Sequence, residues 1–160
     1  MTIDRIDWHD EFIKDDISED ELLERAGAHI GYYLEWAYKK GFAPSNPETH
    51  DVAEYQKVAN SEVSGIQFLI ENCDTKFWDV DLNEEGLKFT SFAYETYLSN
   101  LEMILGHKPY IEKYNQRDLQ NVSKYLDKVY ADYLTNPPSE HIKEEKQSFF
   151  QQLKGLFLKK

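Results

Sequence analysis

Apolar side chains recur at steps of three and four residues through most of this chain, the spacing that lines up one face of an α-helix, and no segment sustains the two-residue alternation of a half-buried strand. The first run, from about Glu19 to Lys40, carries Leu22, Ala26, Ile30, Tyr33 and Ala37. Ser18 stands at its N-cap, Glu19, Asp20 and Glu21 complement the positive end of the helix dipole, and Lys39, Lys40 and Gly41 form its end. The segment FAPSNPET cannot continue a helix, because two prolines and an Asn interrupt it. A second helix, over 51–72, places Val52, Tyr55, Ala59, Val63, Ile66 and Ile70 on one face, opened by Asp51 and Glu54 at capping-box spacing. A third carries Leu82, Phe89, Ala93, Tyr97, Leu101 and Ile104 and stops at Gly106. The fourth, from about Arg117 to Leu134, has the cleanest stripe (Leu119, Val122, Leu126, Val129, Tyr133) and is halted by Asn136-Pro137-Pro138.

Beyond the double proline, Phe149, Phe150, Leu153, Leu156 and Phe157 share one face of a short basic amphipathic helix. Such a segment docks on its own bundle or a second copy in a homodimer, on a partner protein, or on an anionic membrane surface through residues 140–160. The expected fold is all-α: a single-domain helical bundle of four main helices over residues 1–136, followed by the C-terminal amphipathic segment 137–160.

Charge changes the picture more than length does. Residues 1–100 hold 22 acids and 8 bases, net −14, whereas residues 101–160 hold 8 acids and 10 bases, net +2. An acidic N-terminal region repels nucleic-acid phosphates and attracts basic surfaces, so the expected partner is a basic protein and not nucleic acid. The sequence MTIDRIDWHDEF lacks the charged start and apolar run of a signal peptide, and no stretch approaches the ~20 apolar residues of a membrane span. With a single cysteine, Cys73, there is no disulfide framework, and the expected location is the cytoplasm.

Candidate chemistry is sparse. In WDVDLNEEG, residues 78–86, Asp79, Asp81 and Asn83 alternate like the start of a calcium loop, but Glu84 stands where the turn glycine belongs and Thr90 where the bidentate Glu belongs. The stretch reads better as a helix start with Asp81 as N-cap, Glu84 as its capping-box partner and Gly86 one turn in. His9, His29, His50, His107 and His141 are scattered, with no paired spacing on a helix face, no Glu-x-x-His pair and no cysteine beside them, so no metal and no cofactor is expected. No G-x-S-x-G elbow or glycine-rich phosphate loop is present, and the chain reads as a non-enzyme. In AGAHIG, residues 26–31, two glycines cost about 1 kcal/mol each inside a helix, which implies a close helix crossing with His29 hydrogen-bonded beside it.

The stretches AHIGYYLEWA (28–37), DLNEEGLKF (81–89), SFAYETYLSNLEMILG (91–106) and NVSKYLDKVYADYL (121–134) together resemble a family of small acidic bacterial proteins of unknown function, over about residues 8–134. His29, Ile30, Gly31 and Trp36 match its His-Ile-Gly helix, and Asn83, Glu84, Glu85 and Gly86 match its acidic helix start. The family looks like the immunity-type accessory proteins encoded beside secreted toxins, and the resemblance implies binding rather than catalysis.

The functional expectation is therefore an immunity protein that occludes a cognate bacterial toxin. Its acids steer association and its aromatics anchor it, with Asp7, Trp8, Asp10, Glu11, Asp15 and Asp16 as the contact residues. The alternative is a peripheral membrane or scaffold protein anchored by its C-terminal helix.

Overall fold

The computed structural model describes residues 1–46 and 50–138. Within them the chain is mostly helical, with α1 (Glu19–Lys39), α2 (Val52–Ala59), α3 (Gly65–Glu71), α4 (Glu84–Ser99), α5 (Leu101–Leu105) and α6 (Gln116–Thr135). Two short strands, β1 (Thr2–Arg5) and β2 (Lys76–Trp78), join them as an antiparallel pair, with Asp4 opposite Phe77 and Arg5 opposite Lys76. This pair corrects the all-α expectation. Neither strand shows a period: the side chain that β1 buries is the charged Asp4, and β2 is three residues long.

The helix α1 is central. Every residue from Arg25 to Tyr38 is buried, because α2 and α3, α6 and the N-terminal turns surround it. A helix enclosed on all sides must satisfy its polar groups internally. Glu35 does so by accepting from the Gly65 backbone N–H at 3.1 Å, Lys39 Nζ at 2.7 Å and the Tyr114 hydroxyl. Trp36 is likewise buried and donates from Nε1 to Asp127 of α6 at 2.9 Å.

The glycines of AGAHIG serve the crossing of α1 with α3. A Cβ on Gly31 would lie 2.6 Å from the Ile66 backbone nitrogen, and one on Gly65 would lie 1.9 Å from the Gly31 carbonyl oxygen. Close approach there also explains why the helix expected over 51–72 is two helices. Asn60 ends α2, Ser61 takes a left-handed φ of 60°, and Ser64 caps α3 by accepting from Gln67 N at 3.2 Å. The Asn, Ser and Gly of NSEVSG favour local backbone bonds over helix continuation, and the break carries Gly65 onto Gly31. In the third predicted helix, Asn100 divides α4 from α5 by donating from Nδ2 to Thr96 O at 2.8 Å.

The cap of α4 is Asn83, not Asp81. Its Oδ1 accepts from Gly86 N at 2.8 Å, while its backbone N–H donates to Phe42 O at 2.8 Å and its Nδ2 to Gly41 O at 2.8 Å. A Cβ on Gly86 would meet Phe42 Cβ at 2.7 Å. The NEEG start is thus docked against the loop that leaves α1. Glu84, the expected box partner, instead faces solvent and pairs with Lys88. Ser18 and Asp51 cap α1 and α2 as their positions predict. The amphipathic segment 140–160 lies outside the described residues. No helix among the described residues is long and apolar enough to cross a membrane.

Candidate functional site

The N-terminal residues run from β1 into two 3-10 turns, Ile6–Trp8 and Asp10–Phe12, which lie against α1. Turns of this length have no hydrophobic core of their own, so their position depends on anchors. Ile6, almost fully buried, is one. The other is Asp4, whose carboxylate accepts from four donors: His9 Nε2 at 2.8 Å and the Arg5 N–H at 2.7 Å on Oδ1, and His29 Nε2 at 3.2 Å and the Tyr94 hydroxyl at 2.8 Å on Oδ2.

This arrangement fixes the protonation states. Burial opposes the charge on Asp4, but the hydrogen bonds and charges of His29 and His9 outweigh it and hold its carboxyl well below the usual carboxylate range. Burial and the neighbouring His9 push the His29 imidazole below its usual value, against the pull of Asp4, so His29 is neutral at neutral pH. Burial first, and then the Asp4 charge, raise Tyr94 well above the ordinary phenol range, which keeps it a donor.

Tyr110 closes the cluster from the far side of the chain. Its hydroxyl lies 3.0 Å from His9 Nδ1, and its ring stacks on His9 and Phe12 with centroids 5.5 and 5.7 Å apart. It meets the edge of His29 at 5.5 Å. Its backbone takes the left-handed φ of 68°, unusual for an aromatic residue, and its carbonyl accepts from Arg25 Nε at 2.8 Å. A small cleft beside it is lined by Arg25, His29, Tyr32, His107, Tyr110 and Asp118, among others.

On the outer side of these anchors the structure presents the residues expected to contact a partner. Trp8 is 39 % and Phe12 60 % exposed, and Asp7, Glu11, Asp15 and Asp16 are exposed around them, with Asp10 half-buried. Two of the acids are already engaged: Asp7 accepts from Arg5 Nε at 2.8 Å, and Asp15 accepts from Arg25 at 2.7 Å. The Arg5 guanidinium also sits 5.8 Å from the centre of the Trp8 ring, which holds the indole in place. Phe12, at the end of the run HDEF, belongs to this face although no expectation from the sequence included it. Asp4, His9 and Tyr110 carry no local signal, because their relation spans up to 106 positions of chain.

The structural motif residues divide differently. Gly31 and Gly86 permit close packing, Trp36 bonds α6, and His29 joins the Asp4 cluster. Asp81 is buried, with Oδ2 accepting from the Trp78 N–H at 2.8 Å. Four of the five histidines that sequence leaves scattered are brought beside acids, His9 and His29 at Asp4, His50 near Asp81, and His107 at Asp118, while His141 lies outside the described residues.

Neither a curated protein nor a solved structure matches the chain. A family model does match it over residues 2–135, which takes in both strands and all six helices of the described residues and the anchored N-terminal face, and the chain belongs to that family, Domain of unknown function (DUF7832).

Proposed function

We propose that this domain is a non-catalytic binding protein that captures a basic protein through its N-terminal face, and that the partner is a bacterial toxin which it neutralises by occlusion. The observation that carries the reading is the exposure of Trp8 and Phe12 among carboxylates on turns held in place by the buried Asp4 cluster. Exposed aromatics on a preorganised support lose little freedom on binding and serve as anchors, while surrounding acids raise the association rate with a basic surface. The net charge of −14 over residues 1–100 favours the same class of partner. The toxin assignment rests on the resemblance to immunity-type proteins, and with it goes a cytoplasmic site of action in a bacterium.

Co-expression with the toxin encoded beside its gene tests the proposal. The chain should form a stable complex and protect the cell. The double substitution Trp8→Ala and Phe12→Ala should weaken binding by about 2 kcal/mol or more per anchor, roughly 30-fold each, while the chain stays folded and its melting temperature falls only by what the Phe12–Tyr110 stack and the Arg5–Trp8 contact contribute. Replacing Asp10, Glu11 and Asp16 with their amides should slow association and flatten its salt dependence. A chain that neither binds nor protects removes the toxin assignment, and full affinity in the double variant removes the face.

A further inference from the structure

Among the described residues, three clusters bring metal-ligating side chains within reach of one another: Asp4 with His9 and His29, His107 with Glu112 and Asp118, and His50 with Cys73 and Asp81. In the first, both imidazoles are closed onto the carboxylate by hydrogen bonds of 2.8 and 3.2 Å. In the second, His107 bonds Asp118 at 2.9 Å, and Arg117 already bridges Asp118 and Glu112 at 3.1 and 2.8 Å. The second is a self-sufficient network, and in the first the carboxylate is fully engaged, the one unpaired atom being His29 Nδ1, which is not the ring nitrogen bonded to Asp4.

The third is built differently. His50 Nε2 lies 3.9 Å from Cys73 Sγ and 3.7 Å from Asp81 Oδ1, a weak sulfur contact and a gap too long for a hydrogen bond. Asp81 is fully buried; its Oδ2 is satisfied by Trp78, while its Oδ1 makes no hydrogen bond of good geometry and the carboxyl is otherwise helped by the Tyr55 hydroxyl. The buried Tyr38 hydroxyl has no hydrogen-bond partner. A carboxylate oxygen without a good hydrogen bond in the interior is costly, and a native fold keeps one where something else completes it. A tetrahedral ion with bonds of about 2.0 Å to nitrogen or oxygen and 2.3 Å to sulfur holds an N–O pair about 3.3 Å and an N–S pair about 3.5 Å apart, so the separations of 3.7 and 3.9 Å need close by only about 0.4 Å each on binding.

We infer that His50 Nε2, Cys73 Sγ and Asp81 Oδ1 bind a divalent transition-metal cation of the zinc type, with the fourth position taken by water. The donor set is one borderline nitrogen, one soft sulfur and one hard oxygen, which suits zinc better than calcium or magnesium. The ligands come from three connections: the residue before the cap of α2, the turn after α3, and the 3-10 turn Asp79–Asp81 before α4. The ion would therefore clamp segments that no regular hydrogen-bond ladder joins. His50, whose side chain is 15 % exposed, forms the open side.

Electrostatics agrees with the geometry. Without a cation, burial pushes the Cys73 thiol up and raises Asp81 to about 6, despite the Trp78 N–H. A bound dication reverses both. Binding breaks the Cys73 S–H bond, releases that proton to solvent and forms the metal–thiolate bond, so affinity should rise with pH.

Titration of the full chain with Co2+ after treatment with a chelator tests the site. One equivalent should give the intense visible bands of a tetrahedral ion and a thiolate-to-cobalt charge-transfer band, and Zn2+ should bleach both. Cys73→Ser should abolish the charge-transfer band and weaken binding by more than about 100-fold. His50→Gln, at the solvent edge, should weaken binding while leaving the far-UV circular dichroism of the metal-free chain unchanged. A spectrum matching free Co2+ in buffer, a charge-transfer band surviving in Cys73→Ser, or wild-type affinity in His50→Gln would each overturn the assignment. The last comparison stands even where the cysteine variant misfolds.

Discussion

Replacing Asp4 with Asn isolates the anchor of the N-terminal face. The wild-type carboxylate accepts four hydrogen bonds, two on each oxygen, and three come from the side chains of His9, His29 and Tyr94. An amide can keep only one oxygen. Its NH2 then faces donors: the Arg5 and His9 N–H groups on one side, or His29 and Tyr94 on the other. Two bonds to a charged acceptor, at about 1.5–3 kcal/mol each, are lost, and a change of histidine tautomer recovers part of one, so the net cost is about 3–5 kcal/mol. Urea unfolding followed by far-UV circular dichroism at neutral pH reads this directly.

The pH profile supplies a second signature. Because the folded Asp4 carboxyl lies below its unfolded value of 3.8, its contribution is present above that value and is lost as pH falls through the folded one. His29 has the same sign: its folded value lies below 6.5, so stability is lost as pH falls from there. The gap between wild type and Asp4→Asn should be full at pH 5–8 and should narrow in stronger acid. A cost under about 0.5 kcal/mol at neutral pH, or a gap that does not narrow, would refute the account of the cluster.

Two further outcomes follow from the packing. In Gly31→Ala, helix propensity gains about 1 kcal/mol, but the new Cβ lies 2.6 Å from the Ile66 backbone nitrogen, which cannot move aside. Overpacking of about 1–3 kcal/mol or more wins, so urea unfolding should show a net loss, larger than for Gly27→Ala, whose neighbours are the flexible ends of Ile6 and Ile66. In chelator-treated protein, Asp81→Asn should raise stability at pH 7–8. The folded carboxyl, at about 6 against 3.8, contributes fully below 3.8 and loses that contribution as pH rises through 6, by up to about 3 kcal/mol. Thermal melts of the two proteins at pH 5 and pH 8 check this, and a gain that does not grow with pH would count against it.

Local rules set much of this fold. The periodic runs identify α1 and α6 almost to the residue, because each has a cap, an apolar repeat and a stop within its own length. The two glycines of AGAHIG announce a close crossing for the same reason: their cost inside a helix requires compensation close by. The acidic surplus and the Trp8 region are likewise properties of the letters, and they stand exposed in the fold.

Tertiary structure decided the rest. A 3.6-residue period runs through Asn60 and Asn100, yet both positions break, because their side chains and the approach of Gly65 to Gly31 outweigh continuation. Asp81 and Asn83 each have the chemistry of a cap. Only the docking of Asn83 on the Gly41–Ala43 loop assigns the role to it and leaves Asp81 buried with one oxygen short of a good hydrogen bond. The meeting of Asp4 with His29, Tyr94 and Tyr110, and of His50 with Cys73 and Asp81, has no sequence period at all. Such contacts join distant segments, and the free energy that selects them comes from burying charges and phenols together.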